Sequence, residues 1–156
     1  ELERHRSRLE ELVEARTGFP ATLLPDGRIL VTGGGGAPGD AGGRPTTVLS
    51  GVEIYDPATG QSKVTDHLTD ARMDHGEVAL ADGRVLVVGG QHSFDPTDPN
   101  LHPSSAELVD PVTGKVSLSA SKTNSIGGAA SALLLDGRVL VLSGRPRKLI
   151  AEVYVP

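Results

Sequence analysis

Apolar positions along this chain come in short unbroken runs, and the runs recur. Ile29–Thr32 leads into Gly33 and Gly34, Val85–Val88 into Gly89 and Gly90, and Val139–Leu142 into Ser143 and Gly144. Successive apolar residues, unlike alternating ones, predict a strand covered on both faces. Just before each run stands an Asp-Gly-Arg: Asp26, Gly27 and Arg28, then Asp82, Gly83 and Arg84, then Asp136, Gly137 and Arg138. Asp-Gly is a tight hairpin signal, because glycine takes positive φ without a Cβ clash. Each run should therefore pair with a strand of small residues ahead of it, such as Ala21–Leu24. The double glycine marks a sharp turn at close packing.

These segments, LLPDGRILVTGG at 23–34, LADGRVLVVGG at 80–90 and LLDGRVLVLSG at 134–144, are copies of one unit, their aspartates 56 and 54 residues apart. A second element follows each: VEIYDPATG at 52–60, AELVDPVTG at 106–114 and AEVYVP at 151–156. Asp-Pro-x-Thr-Gly is a turn, and it leads toward a fourth strand near Gln61–Thr65 and Lys115–Ser119. Upstream, EARTGFP at 14–20 aligns with DARMDHG at 70–76. Four strands in a unit of about 50 residues is the signature of a propeller blade. The expected units run about 17–70, 71–122 and 123–156, the third incomplete.

Residues 1–16 read differently. Leu2, His5, Leu9, Leu12 and Arg16 fall at alternating three- and four-residue steps, with Val13 widening the stripe and charges filling the rest. That predicts a short amphipathic helix. Sixteen residues are marginal for an isolated helix, so it needs a surface to lie on: its own sheets, or another chain in a coiled-coil contact. A leader that is disordered, or foreign to the natural protein, is the remaining alternative.

The apolar strand ending in Gly-Gly, the Glu-x-Tyr-Asp-Pro around Tyr55 and the Thr-Gly turn together resemble kelch repeats. The wording is similar to that of bacterial kelch and galactose-oxidase-like propellers, over about residues 14–156. The resemblance implies an all-β fold of three kelch-type β-propeller blades, with Tyr55 and Tyr154 packing inside them. It departs in lacking the tryptophan of the fourth strand, near Ser62 and Val116. It also departs in the third unit, with Ser143-Gly144 for Gly-Gly and Tyr154-Val155-Pro156 for Tyr-Asp-Pro. Kelch propellers generally imply a non-enzymatic interaction module that binds a protein partner through its inter-strand loops. A bacterial, secreted or cell-surface location follows from the resemblance alone.

Composition narrows the function further. A net charge of −5 argues against nucleic acid, which needs clustered Lys and Arg. Aromatic residues make up 3% and there is no Trp, so a stacking platform lacks material. Without Cys there are no disulfides, thiolate metal sites or cysteine nucleophiles. No apolar stretch approaches the length of a membrane span, and no signal-peptide core is visible at the N-terminus. A start at Glu1 in place of Met points to a processed, truncated or incomplete product.

Candidate chemistry is sparse. The loop 91–103 gathers His92, Asp95, Asp98 and His102, two carboxylates and two imidazoles of the kind that bind a divalent cation. Three prolines and the absence of a familiar ligand spacing favour a plain solvated loop, and no cofactor is expected. His75 opens a strand, where a structural hydrogen bond is expected; Phe19 and Ala129 take its place in the other units. The glycine-rich 33–45 lacks the Gly-Lys-Ser/Thr ending of a phosphate loop and reads as a flexible insertion. Arg28, Arg84 and Arg138, like Glu53, Glu107 and Glu152, recur in every unit, which predicts structural hydrogen bonds between blades. The copper chemistry of galactose-oxidase-like enzymes requires Tyr, His and a Cys crosslinked to Tyr, and this chain has no Cys. Since propellers typically use about 4–8 blades, three should not close alone. Self-association, for example of two copies, or blades from elsewhere are expected; so is the alternative of a fragment of a larger propeller enzyme.

Overall fold

The computed structural model describes residues 12–36, 45–98, 101–122, 127–145 and 148–156. Within them the protein is all-β, built as three antiparallel sheets, each from consecutive strands. Sheet 1 runs in order through β1 (Ala21–Leu23), β2 (Ile29–Thr32), β3 (Gly51–Asp56) and β4 (Gln61–His67). Sheet 2 repeats this with β5 (Gly76–Ala79), β6 (Val85–Val88), β7 (Ser105–Asp110) and β8 (Lys115–Lys122). Sheet 3 has β9 (Ala129–Leu133), β10 (Val139–Arg145) and β11 (Lys148–Tyr154), with β10 central.

The turns form for the reasons their residues announce. Leu24, Pro25, Asp26 and Gly27 make a turn closed by the Gly27 N–H on the Leu24 carbonyl at 3.0 Å, and Gly27 leaves it at φ +88°. Gly83 and Gly137 repeat it at +88° and +84°. In each Asp-Gly-Arg the aspartate accepts both the backbone N–H and the side-chain Nε–H of the arginine. Those bonds hold Asp26, Asp82 and Asp136 below the usual carboxylate range. The arginines thus serve mainly their own turns. Among the described residues only Arg28 also reaches a neighbouring sheet, donating to the Pro111 carbonyl at 3.1 Å. This corrects the expectation of an inter-sheet bond from the arginine of every unit.

Continuous apolar strands are covered on both sides, and the sheets do the covering. Leu30, Val52 and Ile54 of sheet 1 pack against Val85, Val87 and Val109 of sheet 2. Leu86, Val88, Ala106 and Leu108 on the reverse of sheet 2 pack against Val139, Val141 and Tyr154 of sheet 3. All four residues of β6 have zero exposure. Burying a Val or Leu contributes about 1.5–3 kcal/mol, so these two seams are the main apolar stabilisation. The far side of sheet 3 is open, with Leu142, Val153 and Leu149 40%, 49% and 78% exposed; on the far side of sheet 1 the edge residue Leu23 is 69% exposed while Val31 and Glu53 are buried.

Two expectations are corrected. Residues 12–16 carry no helix, and the remainder of the expected helix, 1–11, lies outside the described residues. The reason is Arg16, whose side chain is fully buried in an ion pair and cannot sit on a solvated helix face. The third unit's Ser143 and Gly144 do not turn the chain. They continue β10, which pairs directly with β11 from Val139–Tyr154 to Arg145–Lys148, where the other units carry a long loop. The glycine-rich insertion is also less free than expected at its ends, since Gly35 bridges both Thr17 and Val48. Its residues 37–44 lie outside the described residues.

Candidate functional site

Three groups of polar residues stand out, and the first is a repeated buried ion pair. Residues 68–72 connect sheet 1 to sheet 2 and bring Arg72 beside Glu107, Nη2 to Oε1 at 2.8 Å, both side chains fully buried. Arg72 also donates to the carbonyls of Gly89 (3.1 Å) and Ser105 (3.2 Å), while Glu107 accepts the N–H groups of Thr69 and Asp70. Burial pulls the Arg72 guanidinium below its ordinary value, with Glu107 and Asp70 opposing the shift. Arg16 and Glu53 repeat the arrangement in sheet 1 at 2.9 Å, with Ser62 and the Val13 N–H completing the carboxylate. Every donor and acceptor of these pairs is spent on backbone or partner, as buried charges require. They are structural knots.

Gly33 and Gly34, and Gly89 and Gly90, make room for them. All four have positive φ, and a Cβ on Gly33 would collide with the Arg72 carbonyl oxygen.

The second group lies in the seam between sheets 1 and 2. Glu77 of β5 accepts from Thr22 at 3.0 Å and from Thr32 at 3.1 Å. Thr32 Oγ1 is 2.8 Å from His75 Nε2, so with its hydroxyl on Glu77 it accepts from the imidazole. Burial raises Glu77 to about 8. Burial, and then the charge of Arg72, lowers His75 to about 3 and keeps it neutral. Its Nδ1 is buried without a hydrogen-bond partner. The seam between sheets 2 and 3 has Val78, Val88, Ala129 and Ser131 at the same positions, so this cluster is not a ring feature.

The third group is the loop after β6. His92 Nε2 pairs with Asp98 at 2.9 Å, Asp95 caps the N–H and hydroxyl of Thr97, and His102 Nδ1 lies against the Gly90 carbonyl and the Gly127 N–H. The four predicted ligands thus engage separate partners, and no three His, Asp or Glu side chains among the described residues gather around one point. An open cleft of about 590 Å³ lies elsewhere, between Phe19, Pro20, His75, Ala130, Leu142 and Leu149. Its lining is mostly apolar.

Tyr55 sits on sheet 1 and Tyr154 on sheet 3 with sheet 2 between them, and Tyr154 hydrogen-bonds Ser119. Two tyrosines so separated, with no Cys, do not fit a tyrosine–cysteine copper centre.

Sequence reasoning recognised the glutamates but missed Arg16 and Arg72 as their partners. The signal was present: Leu12-Val13-Glu14-Ala15-Arg16 matches Leu68-Thr69-Asp70-Ala71-Arg72. Glu77 gave one weaker sign, a carboxylate inside an otherwise small and apolar strand.

Fold and knots together define a repeat protein of antiparallel sheets stacked side by side. No family model matches the chain, and no curated protein matches it. Among solved structures it is similar to a fungal alcohol oxidase of the AA5 family in complex with copper, at a TM-score of 0.65 and 20% identity. The match covers 83% of this chain but 27% of that one, so the chain spans about a quarter of the enzyme's length. The likeness is one of fold.

Proposed function

We propose that the three sheets are blades of a kelch-type β-propeller and that the chain is a non-enzymatic interaction module, presenting its inter-strand loops to a protein partner. The observation that carries this is how the polar residues are spent. The recurring Arg, Glu and Asp side chains are consumed by turns and knots, while the loop after β6 displays Phe94, 43% exposed, beside the His92–Asp98 pair. An exposed aromatic on an organised loop is what a binding surface needs, and function resides disproportionately on such loops. A second reading, a segment of a larger propeller enzyme, is favoured by the likeness to the AA5 oxidase. One experiment tests the module reading against catalysis by this chain. The purified chain, with Cu(II) added, is assayed for alcohol-dependent peroxide formation, and a crosslinking residue replacing Phe94 is used to trap a partner in the source cell. No turnover, with a specific adduct at position 94 that is absent for a crosslinker at Lys63 of β4, is expected. Alcohol-dependent turnover would sink the module reading.

A further inference from the structure

Sheet 2 has both sides covered, and so defines what each side of a unit offers its neighbour. Towards sheet 3 it presents Val78, Leu86, Val88, Ala106 and Leu108; sheet 3 meets it with Val139, Val141 and Tyr154. The open side of sheet 3 carries Ala132, Leu140, Leu142, Ala151 and Val153 at the five corresponding positions. The far side of sheet 1 carries Ile29, Val31 and Tyr55 at the three corresponding ones, with Ile29 and Tyr55 half-buried and Val31 only 3% exposed. Each of these sides therefore repeats one half of a seam the chain already makes. The difference is exposure: Leu86 and Val88 have none, while Leu142 and Val153, at positions equivalent to Val88 and Leu108, are 40% and 49% exposed.

The charges permit docking too. The five positions on sheet 3 hold no charged residue. The one carboxylate within the sheet 1 side, Glu53, is already satisfied by Arg16, Ser62 and the Val13 N–H, so covering it strands no charge.

We infer that two copies of this chain join head to tail, the far side of sheet 1 in each against the open side of sheet 3 in the other, closing a ring of six sheets. The inference rests on reading the sheets as propeller blades. It commits to a heterologous contact, in which the two surfaces differ, and such contacts generate rings when the rotation closes. Contiguous apolar surface of this kind marks an interface in soluble proteins.

Light scattering coupled to size-exclusion chromatography, on the 156-residue chain at micromolar concentration, is expected to give twice the 16.1 kDa of one chain. Leu142→Asp alone and Ile29→Asp alone should each run as monomers. Mixed, they retain one undamaged junction and should form a one-to-one pair, which also proves that both variants fold; Leu23→Asp replaces Ile29→Asp should the latter not fold. A monomeric wild type, an open-ended series of higher oligomers, or a dimer that survives either single substitution would overturn the inference. A dimer lost only with Leu142→Asp would mean that sheet 3 meets a second sheet 3, and overturns it equally. Circular dichroism separates the two levels: a β-rich monomer defeats the ring and leaves the blade reading intact, while a helix-rich spectrum defeats both.

Discussion

Glu107→Gln tests the buried knots, because it keeps the shape of the side chain and removes only its charge. Arg72 would then lie fully buried without its partner at 2.8 Å, although the Gly89 and Ser105 carbonyls and the part-exposed Asp70 carboxylate at 3.7 Å would still attend it. Breaking one partner of a buried pair costs about 3–5 kcal/mol. Against a typical domain stability of about 5–15 kcal/mol that is a large fraction, and urea denaturation followed by circular dichroism should show it as a lower midpoint. A double-mutant cycle with Arg72→Met should recover a coupling of about 1–3 kcal/mol between residues in direct contact. An unchanged midpoint for Glu107→Gln, or a coupling near zero in the cycle, would refute the assignment of the pair as the knot.

Four further outcomes are expected. Gly83→Ala should cost about 1–3 kcal/mol through backbone strain alone, since φ is +88° and the space is open; Gly90→Ala, at the same φ but against the Met73 carbonyl and His75, should cost more, and the reverse order in thermal melts would contradict the packing. Glu77, raised in the folded protein, gives stability that is full below its ordinary value of 4.5 and is lost as pH rises to about 8; Glu77→Gln should flatten that fall, and parallel stability-versus-pH curves would exclude it. His75 acts in the opposite sense, its contribution being full above 6.5 and lost as pH falls toward about 3. A chelator should leave the Tm unchanged, because His92, Asp95, Asp98 and His102 are engaged separately; a fall of several degrees would establish a structural metal.

Much of the fold was legible because the repeat says the same thing several times. Asp-Gly-Arg, the four-residue apolar runs and the Thr-Gly turns placed the strands of sheets 1 and 2 to within a residue or two at most ends. The helix reading at 12–16 failed for a physical reason. Helical spacing of Leu9, Leu12 and Arg16 is a local pattern, whereas burial of Arg16 depends on Glu53, 37 residues away. The third unit failed similarly, since nothing local in Ser143-Gly144 reveals that Lys148 will pair with Arg145 and shorten the loop. The seam cluster was illegible because it joins Thr22 and Thr32 of one unit to His75 and Glu77 of the next. Repetition makes a unit readable, but it conceals what differs between two junctions.

Each sheet is assembled from neighbouring segments of chain, and this has a consequence for how the molecule is made. Pairing within a sheet joins strands that follow one another in the chain, so the entropy of bringing them together is met within each unit before any sheet finds its neighbour. Stability then divides into a part intrinsic to each sheet and a part belonging to each seam, as in other linear arrays. Sheet 2, flanked on both sides, gains from two seams where its neighbours gain from one. In a single chain, amide protons of β6 should therefore exchange slowest and those of β1 and β11 sooner, whereas closure of the two-copy ring should narrow that difference.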